Sequence, residues 1–135
     1  MKTILIDPHT QTVKEVAISE NAVLKETYKL LNCSLVETIC YLSNFDALIG
    51  DEEAHYNEKQ TMGFYIKYGN GDMGYVHGNA VVWGLDFETG DNADCNSDVE
   101  YIKSIVQFVD LETSQKISRE IQDSPMQIFF RTNDK

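Results

Sequence analysis

Short apolar runs broken by polar turns dominate the chain, and few stretches carry the wider spacing of a helix. Residues 3–6 form an apolar run that Asp7-Pro8 ends, and Thr12-Val13-Lys14-Glu15-Val16-Ala17-Ile18 alternates imperfectly after a polar turn. The two runs predict a β-hairpin. Leu24, Tyr28 and Leu31 then fall at four- and three-residue spacing, which predicts a helix over 22–31 with Asn21 as its cap. Lys25 and Lys29 lie toward its favourable C-terminal end, and Asn32 is suited to a left-handed stop. Residues 35–42, rich in β-branched and apolar side chains, and the shorter run 45–49 predict two more strands. The polar stretch 51–61 reads as loop.

The second half opens on a stronger local signal. Phe64-Tyr65-Ile66-Lys67-Tyr68 and residues 73–76 flank Gly69-Asn70-Gly71-Asp72, an Asn-Gly turn between β-forming runs, which predicts a hairpin. Asn79-Ala80-Val81-Val82-Trp83-Gly84 is the most continuously apolar segment and predicts a central strand covered on both faces. Ser97 followed by Glu100 makes a capping box, and Val99, Ile102, Val106 and Val109 form a stripe widened by Ile105 and Phe108. A helix over 98–109 is expected, with Asp98 complementing its N-terminal dipole. Residues 116–121 fit a short helix or an edge strand, Pro125 interrupts them, and 126–130 fit a strand or a docking segment. The mixed order of elements predicts an α+β fold: a single domain over 1–135 with a mixed or antiparallel sheet, two main helices and a C-terminal extension at 111–135.

Charge changes the picture most. The chain carries 22 Asp and Glu against 11 Lys and Arg, a net charge of −11 and a pI near 4.5. Asp86, Glu88, Asp91, Asp94, Asp98 and Glu100 follow one another without a basic residue between them, and Asp46, Asp51, Glu52 and Glu53 make a second cluster. Direct nucleic-acid binding by phosphate neutralisation is therefore not expected, because it rests on Lys and Arg displacing counterions. A basic or an uncharged partner fits better. No apolar run approaches the roughly 18 residues of a membrane span, and the opening run is too short for a signal peptide, so a cytoplasmic protein is expected. Cys33, Cys40 and Cys95 are odd in number and lack a Cys-x-x-Cys, which points to reduced thiols.

Candidate chemistry thins out on inspection. Gly69-Asn70-Gly71-Asp72-Met73-Gly74 matches G-x-G-x-x-G, but the following Tyr75-Val76-His77-Gly78 is β-forming, whereas a dinucleotide site needs a helix there. In the acidic stretch from Asp86, Gly90 sits fifth and Asp91 sixth, out of register with a calcium loop. His9, His55 and His77 lack metal-ligand spacing. No nucleophile motif is present, and the pairs Asp51 with Glu52 and Asp91 with Asp94 sit in hydrophilic surroundings that favour solvation over acid-base work. No enzyme activity and no cofactor are expected.

Ile4-Leu5-Ile6-Asp7-Pro8, Thr12-Val13-x-x-Val16, Ile49-Gly50-Asp51-Glu52-Glu53 and His77-Gly78-Asn79-Ala80-Val81-Val82-Trp83-Gly84 with Asp86 and Gly90 resemble a small bacterial family, the domain of unknown function numbered 3846. The resemblance spans about Ile4 to Val109, and the chain departs from it in the hairpin at 69–74 and in the extension after Leu111. It implies a phage, plasmid or other mobile-element context in a bacterial host and no catalytic residues.

Acidity and that context together predict an inhibitor of a basic host protein, a DNA mimic directed at a restriction or CRISPR-type nuclease. Asp86, Glu88, Asp91, Asp94, Asp51, Glu52 and Glu53 would be its contact residues. Duplex DNA carries one charge per roughly 1.7 Å of axis, so eleven net charges imitate on the order of 20 Å, and a homodimer would double that length. The alternative is a small-ligand or nucleotide-sequestering protein using Tyr68, Gly71, Tyr75 and His77. A divalent-ion enzyme at Asp91 and Asp94 stands third.

Overall fold

A computed structural model describes residues 1–122, without the side chains of 118 and 120–122. The segment at 126–130, expected as a strand or docking segment, and Pro125 lie outside the described residues. Among the described residues nine strands run in chain order: β1 Lys2–Asp7, β2 Thr12–Ala17, β3 Val36–Tyr41, β4 Ala47–Asp51, β5 Gly63–Tyr68, β6 Asp72–His77, β7 Ala80–Leu85, β8 Asn92–Ala93 and β9 Val106–Phe108. Three α-helices accompany them: α1 Val23–Leu31, α2 Val99–Ile105 and α3 Leu111–Gln122. The fold is α+β, and every strand pairing is antiparallel.

β7 occupies the middle of the larger sheet, in the order β2-β1-β7-β4-β3, with β8 pairing the end of β7. Residues 80–84 are buried on both faces, as a run apolar in every position requires. Alternation sorts the side chains of this sheet. Leu5, Ala47, Ile49, Val81 and Trp83 face one way and pack on Leu31 of α1. Ile4, Ile6, Leu48, Ala80 and Val82 face the other way and meet Phe64, Ile66, Tyr68 and Val76 of the smaller sheet, with Ile102 of α2. The smaller sheet runs β6-β5-β9. Its outer face, with Tyr65 and Tyr75, takes Ile117 of α3. The layers therefore follow as α1, large sheet, small sheet with α2, and α3.

Local signals explain most boundaries. Asn32 stops α1 in the left-handed region at φ 53° and ψ 49°, and the Cys33 amide closes the last turn by donating to Tyr28 O at 3.1 Å. Asn21 does not cap α1: Ala22 holds that position without a side-chain bond, and Glu26 instead reaches back to the Ser19 amide at 3.0 Å. The β5–β6 turn is the predicted hairpin, with Gly69 and Gly71 both at positive φ.

The helix expected over 98–109 ends earlier. Asp98 is its cap, accepting from the Tyr101 amide at 2.8 Å, while Ser97 turns inward to Asp46. At Val106 the backbone swings to φ −107° and ψ 138°, and 106–108 become β9, paired with Phe64 to Ile66. Pairing along β5 and contact between Phe64 and Phe108, with centroids 6.3 Å apart, outweigh the helical spacing of the stripe. The region at 116–121 lies within α3, a third helix, and the loop at 51–61 contains one 3-10 turn, Ala54–Tyr56.

Candidate functional site

Two ends of β7 carry the polar chemistry. At its start, carboxamides close the exposed carbonyls at the C-terminal end of α1, which an ending helix leaves without intrahelical partners. Gln60 Nε2 donates to Leu31 O, Asn57 Nδ2 to Asn32 O at 2.8 Å, and Asn79 Nδ2 to Leu30 O at 3.4 Å. Gln60 Oε1 accepts from the Asn79 amide at 3.1 Å, and Asn57 also donates to Asp51 Oδ2 at 2.9 Å. Gly78 is required beside this knot. Its φ is +91°, and a Cβ there would stand 2.6 Å from Gln60 Oε1. His9 joins from the turn after β1: its Nε2 accepts from the Thr61 amide at 3.1 Å, so its Nδ1 carries the proton shared with Asn79 Oδ1 at 2.8 Å.

The loop so anchored presents His55 to His77, which ends β6. Their rings stack with centroids 5.0 Å apart and an interplanar angle of 23°. Burial first, and then the neighbouring imidazole, push the His77 pKa down to about 4; burial also lowers that of His55. Both rings are neutral at pH 7. A cleft of about 440 Å³ opens over them, with Gln115 and Arg119 of α3 among its lining residues. α3 is seated there by Ile117 on Tyr75 and by Ser114, whose hydroxyl accepts from the Gly63 amide at 3.2 Å and bonds the Tyr75 hydroxyl. A second cleft of about 610 Å³ lies between α1 and the same loop and shares Tyr56 and Asn57 with the first. Cys33 lines it, its thiol pushed up to about 11 by burial and the Asp51 charge.

The other end of β7 is built around Asp46, which is fully buried. Its carboxylate accepts from the Asn96 amide at 2.9 and 3.0 Å, the Ser97 amide at 2.8 Å and the Ser97 hydroxyl at 2.6 Å. Asn44 Nδ2 donates to Ser97 Oγ at 2.9 Å, and its Oδ1 accepts from the Asp46 amide at 3.1 Å. This bracing holds the turn 42–45 with Phe45 at φ +68°, a backbone region costly for a bulky L-residue. Phe45 is 64% exposed and meets Phe87, 74% exposed, edge to face with centroids 6.1 Å apart. Phe87 sits in the β7–β8 turn, where Asp86 Oδ1 accepts from the Glu88 and Thr89 amides.

The residues nominated from sequence are divided between these ends. Asp86, Glu88, Asp91 and Asp94 are exposed around Phe87, although Asp94 also accepts from the Lys2 amide at 2.7 Å. Glu52 and Glu53 are exposed at the far end of β4, whereas Asp51 is buried and bonded to Asn57 and to the Glu53 amide. Gly50 pairs with Ala80 and Ala47 with Trp83, so the two acidic groups stand at opposite ends of a six-residue strand, roughly 17 Å apart. Of the four ligand candidates, His77 lines the first cleft, and the other three line neither of the two clefts above. Tyr68 points into the core between the sheets, Gly71 is at the hairpin tip, and Tyr75 lies under α3. Phe45, Phe87, His55, Gln115 and Arg119 were missed. Phe87 is an apolar residue inside a polar turn, whereas Phe45 was expected to open the strand over 45–49 and instead lies in the turn before β4, which starts at Ala47.

Among the described residues no three His, Cys, Asp or Glu side chains group to hold a metal ion, and no helix is long and apolar enough to cross a membrane. The fold is a two-sheet antiparallel α+β domain with one clefted and one aromatic, acidic end. Residues 1–109 match the family model described as Domain of unknown function (DUF3846), and the chain belongs to that family. No curated protein and no solved structure shows significant similarity to it. The match ends just after β9, leaving α3 beyond it.

Proposed function

We propose that the protein is a binding protein that occupies a basic, nucleic-acid-binding protein of its host, in the manner of an inhibitor of a restriction or CRISPR-type nuclease. The observation that carries this reading is the exposed Phe45–Phe87 pair set among Asp86, Glu88, Asp91 and Asp94. Exposed aromatic rings are typical anchors of protein interfaces, and surrounding carboxylates steer and select a cationic partner. A turn that holds Phe45 in an unfavourable backbone region is hard to explain by folding alone, since glycine would be easier there. The second acidic group, roughly 17 Å away, extends the charge over the axial length of about ten duplex phosphate charges. DNA mimicry is thus supported by charge spacing and the anchoring by the aromatic pair. A mobile-element origin, implied by the family resemblance, would give such an inhibitor its use.

The test is capture from bacterial lysate by the immobilised wild-type protein, by a Phe45→Ala/Phe87→Ala variant and by an Asp86→Asn/Glu88→Gln/Asp91→Asn variant. The reading expects basic proteins on the wild type, their loss from the phenylalanine variant, and elution from the acidic-site variant at lower salt. An identical bound set on all three would refute it.

A further inference from the structure

Protein docking at the aromatic end leaves the cleft over His55 and His77 unengaged. Its volume of about 440 Å³ lies within the range of small-molecule sites, roughly 300 to 1,000 Å³. We infer that this cleft binds a nucleoside monophosphate, with the base against the stacked imidazoles and the phosphate at Arg119.

Arg119 is exposed on α3 and forms no ion pair with any described residue, although the chain holds twice as many acidic as basic side chains. A guanidinium with no ion pair among the described residues, in a concave wall of so acidic a protein, suits a phosphate, which it grips through paired N–H donors. Gln115 stands one helical turn before it and adds a carboxamide to the same wall. On the floor, His77 is nine-tenths buried, and its Nδ1 has no hydrogen-bond partner among the described residues. A buried ring nitrogen left so is unfavourable, and a base amine or ribose hydroxyl would satisfy it. The pair is uncharged at neutral pH and nearly parallel, which offers a planar surface to an aromatic ligand. Tyr56, 83% exposed, adds a further ring at the edge shared with the second cleft. Glu58 also lines the cleft. Its charge disfavours a bare dianion but accepts from a base amine, which selects a nucleotide over inorganic phosphate.

The experiment is isothermal titration of the full chain with AMP, GMP, CMP and UMP, with the matching nucleoside of any that binds, and with inorganic phosphate. At least one nucleotide should bind with a Kd below about 1 mM, its nucleoside about tenfold more weakly, and phosphate not detectably. Arg119→Ala should weaken that nucleotide about tenfold while circular dichroism shows an unchanged fold. Phe45→Ala should bind it normally, which separates this site from the protein-binding face. Absence of binding by all the nucleotides at about 1 mM, or equal affinity in wild type and Arg119→Ala, would overturn the inference.

Discussion

His77 makes the protein acid-sensitive by an amount that can be worked out. In the unfolded chain its imidazole takes up a proton near pH 6.5, whereas in the fold burial and His55 hold the pKa at about 4. Between those values the unfolded state binds more protons, so stability falls as pH falls. The contribution is fully present above pH 6.5 and is lost progressively until about pH 4. At 1.36 kcal/mol per unit the whole loss is about 3 kcal/mol, of which about 2 is reached by pH 5. With a urea slope near 2 kcal/mol per molar, the unfolding midpoint of the wild type should drop between pH 7 and pH 5 by about 1 M more than that of His77→Gln. The difference between the two proteins removes the common contribution of the carboxylates. Equal pH dependence in both would refute the reasoning, and so would an imidazole NMR titration placing His77 near pH 6.5 in the folded wild type.

Other substitutions test the two ends of β7. Phe45→Gly should be more stable than Phe45→Ala by about 1 kcal/mol in thermal unfolding, because alanine keeps the left-handed penalty at φ +68° and glycine does not. Asp46→Ala should cost at least about 3 kcal/mol in urea unfolding, since it strands the buried Ser97 amide and removes the charged acceptor that joins the 42–46 turn to residues 96–97. Burial pushes the Cys40 thiol up to about 12, so at pH 8 it should resist a thiol reagent in the native protein and react promptly in denaturant.

The legible parts of the fold are those where local and tertiary preferences agree. Residues 80–84 are apolar in every position and sit in the middle of the sheet; Asn32 has the side chain that tolerates a left-handed stop and makes one. Val106 and Phe108 show the opposite case. Their spacing fits a helix as well as a short strand, and pairing with Phe64 and Ile66 decides. Ser97 had the right chemistry for a cap, but a fully buried carboxylate 51 residues away claims its hydroxyl. The clefted end was illegible for the same reason. His55 and His77 have no motif spacing, and they meet where Asn57 and Gln60 tie the loop after His55, and Asn79 the residues after His77, to the end of α1. Charge was legible as a total, but its division between two ends of a strand follows from register.

Because α3 lies outside the matched region, the floor and one wall of the cleft come from different stretches of the chain. His55 and His77 fall within the matched residues 1–109, whereas Gln115 and Arg119 lie after them. If the cleft binds as inferred, substitution at Gln115 or Arg119 would retune what it accepts while Ser114 and Ile117 keep α3 seated on the smaller sheet.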